Sequence, residues 1–382
     1  MGTHQNGPAH FYNEPCESLL SQTNLHPDHY LGAAFNLKTW PDTTQIPFLF
    51  KILSIAKALP LQVHPDKDLA KVLHAEDPKT FVDSNHKPEI AVAIGEPIED
   101  GSWGEGVSFT GFIGFQPLER IAENLKTVHE LRHAIGNDAL VNEFVADPSK
   151  TLLKQLYTSL LAQPQGKAKP HVQSLVERIK TGEWHPECFH AKTARLVTKV
   201  DAQYPGDVGV LATVFFMNFF KLKRGEAIYI GADEIHAYLE GDIIECMAVS
   251  DNVLNTAFVP PEERQVKAFV HALTFTARDV DYWRLQHKQY EGSETGLTQV
   301  YTPPFDEFVV LGTSLTEGGK ETLDAVKGPT IGIVTNGKVK FNVGDEEEEL
   351  DAGGIIFVAP GHKVHVDQLV KESEVWWAAS MI

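Results

Sequence analysis

A chain of 382 residues, 42% hydrophobic with 29 glycines and 22 prolines, has room for two or three domains with real cores and is rich in turns. Its formal net charge of −19 excludes the basic footprint of a nucleic-acid binder and the polybasic patch of a protein seated on an anionic membrane. Three scattered cysteines, Cys16, Cys188 and Cys246, fit no disulfide framework or metal-binding spacing, and the polar start MGTHQNGPAHF has no apolar signal segment, so a reducing, cytoplasmic setting is expected.

In chain order, residues 1–45 are loop-rich and weakly patterned. PFLFKILSIAKALPLQVHP, residues 47–65, is apolar, partly alternating and closed by Pro65, which predicts one or two strands. HKPEIAVAI, residues 86–94, predicts another. The period then changes. Leu118, Ile121, Leu125, Val128 and Leu131 recur at helical spacing, as do Leu152, Leu153, Leu156, Tyr157 and Leu160, and then Val172, Leu175, Val176 and Ile179. Asp147-Pro148-Ser149 reads as a helix cap with proline in the first turn, and QPQGKAKP, residues 163–170, as a loop.

Strand signals return after Tyr204. Val208 to Phe220 is apolar, β-branched and aromatic, and GEAIYIGADEIHAYLEGD, residues 225–242, sets a strand between glycines. The tail from Phe305 alternates in FVVL, TIGIVTNGKVKFNV and GGIIFVAPGHKVHV. Asn336-Gly337 predicts a two-residue hairpin turn, and Glu346 to Glu349 a solvated loop. The expected plan is mostly β: a first unit from 1–115 and 205–300, a helical insertion at 116–204, and a second β unit at 301–382. Many short strands with Gly and Pro turns favour barrels or sandwiches.

Chemistry-bearing residues gather in three places. In Leu61-Gln62-Val63-His64-Pro65, residues two apart share a strand face, so Gln62 and His64 point together while Leu61 and Val63 point into apolar packing. His86-Lys87-Pro88-Glu89 offers an imidazole, a cation and a carboxylate at the start of a strand. His236 lies far along the chain in a Gly-bounded region. Imidazole nitrogen with carboxylate or amide oxygen suits a borderline cation such as zinc. With 17 histidines in the chain, any one alone is more often a surface or satisfied polar residue. His362 and His365 in the tail read as structural or surface, and His86 as adjacent to the site rather than a direct ligand.

FLFKILSIAKAL, LQVHPDK, NHKPEIAVAI and the long run YPGDVGVLATVFFMNFFKLKRGEAIYIGADEIHAYLEGDIIECMAVSDNV resemble, in order, the corresponding stretches of type I phosphomannose isomerases. The resemblance implies cupin-type β-barrels, catalytic and C-terminal, with an α-helical insertion. It implies one Zn²⁺ per chain on Gln62, His64, Glu89 and His236, pocket lysines at Lys51 and Lys87, and an active-site acid at Glu245. The implied activity interconverts mannose 6-phosphate and fructose 6-phosphate through an enediol(ate), feeding GDP-mannose synthesis, in a monomer whose partner is a small sugar phosphate. Such a reaction needs a cation near O1 and O2 and a group to carry the proton between C1 and C2, for which Glu245 is the candidate.

Two departures accompany the resemblance. The family's active-site Arg falls on Asn255 and a Lys on Pro261, leaving Arg264 and Lys267 as nearby cations that could replace them. Losing one charge-assisted contact costs roughly 2–4 kcal/mol of transition-state stabilisation. Met1-Gly2-Thr3-His4 resembles a stretch that family members carry well inside their chains, from which an exposed barrel edge is expected. The alternatives are a diverged metal cupin acting as isomerase or epimerase on another sugar or metabolite, and a non-catalytic binding protein.

Overall fold

The computed structural model describes residues 1–32, 45–99, 103–164, 166–182 and 191–381. Cys188 therefore lies outside the described residues. A nine-stranded sheet forms the first unit: β1 (Phe48–Ile55), β2 (Leu61–Val63), β3 (Glu89–Ala93), β4 (Val107–Phe115), β5 (Met217–Lys223), β6 (Ala227–Ile230), β7 (His236–Ala248), β8 (Leu254–Ala257) and β9 (Arg284–Leu285). β7 is its spine. Its first half pairs antiparallel with β4 and, at one residue, with β2. Its second half lies between β1 and β3.

The two faces of this sheet have different partners. Phe48, Phe50, Ile90, Val92, Ile244 and Cys246 share a core with Val310, Ile331 and Trp376 of the C-terminal unit. Ile55, Ala91, Ala93, Tyr238 and Ile243 face the barrel interior with Phe109, Phe220 and Trp283. Inward positions on β7 thus switch from even numbers to odd, and Gly241 lies between the two patterns. Its φ is +118°, and an added Cβ would meet Ser108 O at 2.2 Å, so only glycine fits there.

Helices span Leu118–Thr127, His129–Ile135, Asp138–Ala146, Lys150–Leu161, Lys169–Lys180, Ala191–Gln203 and Val208–Val214. Their apolar faces build one large core with the outer side of β2 and β4. The expected single face from Leu118 to Leu131 is divided between two helices, with Val128 as the cap between them. Ser149, not Pro148, opens the helix at Lys150: its hydroxyl accepts from the Leu152 N–H, while Asp147 closes the preceding helix.

Val208–Val214 is helix rather than strand, so the helical block runs past 204. All seven residues are buried, and a helix apolar on every side leaves no period to distinguish it from a buried strand. Asp207, which accepts from the Gly209 N–H, is its start signal. Residues 1–45 also hold more regular structure than expected, with helices at Leu19–Leu25 and Pro27–Leu31.

The C-terminal unit packs a six-stranded sheet on a four-stranded sheet over Leu311, Val334, Phe341, Val366 and Trp377. Asn336-Gly337 does not close a hairpin. Thr330–Asn336 pairs within the larger sheet and Lys338–Val343 within the smaller, so the dipeptide is a corner between sheets. Gly337, at φ +74°, sits where a Cβ would meet Glu372 O at 2.1 Å. The two-residue hairpin lies further on, at Gly344-Asp345, where Val343 faces Glu346. Glu346–Asp351 is accordingly a strand and not a loop. It is an exposed edge, with Lys338–Glu349 and Lys340–Glu347 pairs at 3.0 and 3.3 Å.

Candidate metal centre

His64, Glu89 and His236 come from three separate parts of the chain and meet inside the first barrel. Their ligating atoms lie within 4.8 Å of one another, and all three are at most 2% exposed. Glu89 opens β3 on the inward face it shares with Ala91 and Ala93, and His236 opens β7. Gln62 pairs in register with both His236 and Asn255, so these three share one face of the sheet. Gln62 is half-buried.

The imidazoles are held in one tautomer. His64 Nδ1 donates to Asn252 O at 2.8 Å, and His236 Nδ1 donates to Glu234 O at 3.1 Å. A backbone carbonyl only accepts, so each Nδ1 carries the proton and each Nε2 presents a lone pair. Both Nε2 atoms are buried without a hydrogen-bond partner among the described residues. They face the Glu89 carboxylate, at 3.2 Å from His64 and 3.7 Å from His236. Two lone pairs aimed at a carboxylate are acceptors facing an acceptor, an arrangement that a cation between them resolves. A carbonyl behind each imidazole is also how metal-ligating histidines are oriented. The residues present fit a metal ion.

The electrostatics agree. Burial holds the His236 imidazole down at about 4, against the opposing pull of Glu89, so it is neutral near pH 7. Burial works against the Glu89 charge, yet its surroundings, with the Lys87 ammonium among them, keep the carboxyl below its usual range. Lys87 Nζ stands 3.8 Å from Glu89.

Glu245, inward on the second half of β7 and 4% exposed, pairs with Lys51 at 2.9 Å, its register partner on β1. Burial first and the Glu89 charge second push the Glu245 carboxyl above its ordinary value, against Lys51. Tyr238, fully buried, donates toward Glu89 Oε2 at 3.5 Å and links the two carboxyl groups. Sequence reasoning passed over Tyr238. The usable signal is its spacing, two residues after His236 and therefore on the same strand face.

The remaining candidates separate. Asn255 lies beside Gln62, and its Oδ1 is buried and unpartnered among the described residues. Arg264 does not join the cluster. Its guanidinium donates to Thr256 O and Leu161 O at 2.7 and 2.8 Å, beside a cavity of about 490 Å³ against the helical insertion lined by Lys169, Tyr204 and Asp207. Lys267 is exposed. His86 is held by Glu307 at 2.5 Å, and His362 and His365 are exposed on the C-terminal unit. Glu234 and Asn252, whose carbonyls hold the imidazoles, have no chemistry of their own that spacing could flag.

Models of the type I phosphomannose isomerase family match the chain three times: the catalytic domain over residues 1–103, the helical insertion domain over 124–217 and the C-terminal domain over 300–346. Mannose-6-phosphate isomerase of Ogataea parapolymorpha is 38% identical over 98% of this chain and 85% of its own. The chain belongs to the type I phosphomannose isomerase family. The Saccharomyces cerevisiae mannose-6-phosphate isomerase is 36% identical over 94% of this chain and 83% of its own. The apo form of mannose 6-phosphate isomerase from Salmonella typhimurium superposes with a TM-score of 0.80 at 20% identity, covering 100% of this chain and 90% of that one. A mannose 6-phosphate isomerase bound with zinc and yttrium gives 0.81 at 21%, with the same coverage. These structures share the fold, which is the cupin type with a helical insertion.

Proposed function

We propose that the chain is an aldose–ketose isomerase that interconverts mannose 6-phosphate and fructose 6-phosphate, with one zinc ion held by Gln62, His64, Glu89 and His236. The observation that carries this reading is the pair of orphaned, buried Nε2 lone pairs facing Glu89, with a second buried carboxyl, Glu245, on the same inward surface. The curated relatives named above, all mannose-6-phosphate isomerases, support the substrate. A bound zinc ion supplies a Lewis acid where negative charge develops on the C1 and C2 oxygens.

Glu245 takes the proton from C2 and returns it to C1, a task suited to a carboxyl whose proton affinity burial has raised. Lys51 limits that rise and orients the carboxylate through the 2.9 Å contact. Its side chain is 43% exposed, and its ammonium can also meet an anionic substrate as a point charge. Lys87, nearly buried beside Glu89, keeps the positive balance of the inner face. The reading places a monomeric enzyme in the cytoplasm, supplying GDP-mannose synthesis.

Asn255 favours a second reading, a kept metal site with another sugar as substrate. The amide takes the position of a family arginine, and Arg264 is turned away. One assay separates the two. Zinc-loaded protein turning over mannose 6-phosphate at roughly 1–1000 per second supports the first. Bound zinc without detectable turnover would favour the second.

A further inference from the structure

The Asn252 carbonyl fixes the His64 tautomer, and the structure shows what fixes that carbonyl. Asn252 is 1% exposed, and its Nδ2 donates to Asp83 O, Asp83 Oδ1 and Asn85 O at 2.9, 3.1 and 3.0 Å. Its backbone N–H donates to Ser250 Oγ at 3.1 Å. Ser250, also 1% exposed, donates in turn to Asp83 Oδ1 at 2.8 Å and to Asn85 O at 3.2 Å. The Asp251 N–H donates to Asp83 Oδ2 at 2.8 Å, and Asn85 Nδ2 to Val249 O at 2.8 Å. Donors from residues 250, 251 and 252 therefore converge on one carboxylate and its own backbone.

We infer that Asp83, Ser250 and Asn252 form a clamp that positions His64 for metal binding, acting through the Asn252 carbonyl without touching the ion. The inference rests on the metal reading of the His64–Glu89–His236 cluster. Loop 250–252 follows β7 and precedes β8, whereas Asp83 precedes β3. The clamp thus ties the segment that orients His64 to the segment that leads into Glu89. An amide in place of Asp83 turns an N–H toward at least one of these donors and opens the clamp. Partners of this kind typically carry about 10–100-fold of metal affinity.

The test uses the full-length chain, stripped of metal and titrated with zinc against a chromogenic chelator, with each metal-free variant checked for native circular dichroism. D83N and N252A should each raise the zinc Kd about 10–100-fold. D251A removes only the side chain that meets Asn6 and His4 and should stay within about twofold of wild type. Folded D83N and N252A binding zinc as tightly as wild type would overturn the clamp. Should either fail to fold, S250A and S250T decide. Weaker zinc binding with alanine and recovery with threonine supports the clamp, and equal affinity in both overturns it. Wild-type protein that takes up no zinc overturns the metal reading itself, an outcome visible before any variant is compared.

Discussion

Glu245 shows how a side chain's surroundings set its chemistry. A carboxyl at this depth would resist ionisation, and the nearby Glu89 charge adds to that, but Lys51 holds it at 2.9 Å. Replacing Glu245 with Gln keeps the shape and a hydrogen bond to Lys51 but removes the proton carrier. The expected result is a kcat lower by about 10²–10⁴-fold with zinc content unchanged, read by steady-state kinetics beside metal analysis. A variant with ordinary kcat would move the base elsewhere. At this scale the chain was partly legible. Gln62 and His64 could be paired because a short strand punctuated by Pro65 obeys a strict period of two. Tyr238 was equally within reach of that rule. Asn252 and Glu234 were not, because what they offer His64 and His236 is a backbone carbonyl, which every residue has.

Within single elements, local exceptions decide the geometry. Extending the two-residue alternation of β7 from His236 would place Glu245 outside the barrel, and the irregularity at Gly241 brings it inside. Gly241→Ala forces a side chain onto Ser108 O at a left-handed φ. It should cost about 1–3 kcal/mol in urea unfolding and weaken zinc binding as well, since both halves of the site hang on this strand. In the helical insertion, Glu130 is 1% exposed and takes two hydrogen bonds from Arg178, at 2.8 and 2.7 Å. Arg178→Ala leaves that carboxylate buried without its main partner, so unfolding measurements should show a loss of about 3–5 kcal/mol. Periodicity found the helices Leu118–Thr127, His129–Ile135, Lys150–Leu161 and Lys169–Lys180 because one face of each is polar. It failed for Val208–Val214, where no face is. Asn336-Gly337 is a true turn signal whose partner strand could not be known, because pairing is decided by the sandwich and not by the dipeptide.

Across the whole molecule, the first barrel and the C-terminal unit share a core, and polar ties cross between them, among them Arg224–Glu374, Tyr301 to the Gly225 carbonyl, and Glu307. Glu307, 7% exposed, accepts from His86 and pairs with Lys67 at 3.4 Å. Burial alone would raise its pKa, but the His86 hydrogen bond and charge outweigh this and bring it down to about 2. Since the folded value lies below the unfolded value of 4.5, the tie contributes stability above pH 4.5 and loses it as pH falls toward 2. In E307Q, unfolding followed by tryptophan fluorescence should show less pH dependence across that window than wild type. Equal slopes would mean that the tie does not stabilise the docked arrangement. The change from strand to helical period and back was visible in the sequence. The docking of the two β units was not, because the apolar outer face of β1 and β3 reads the same whichever surface covers it.

On the proposed function, His64, Glu89 and His236, with Gln62, hold an ion on which isomerisation depends. Titrating metal-free protein with zinc while following mannose 6-phosphate turnover tests it most directly. Activity should rise in proportion to zinc and stop rising at one ion per chain, and H236A should stay inactive at every zinc concentration. Full turnover in the metal-free protein, or an H236A variant as active as wild type, would contradict the account.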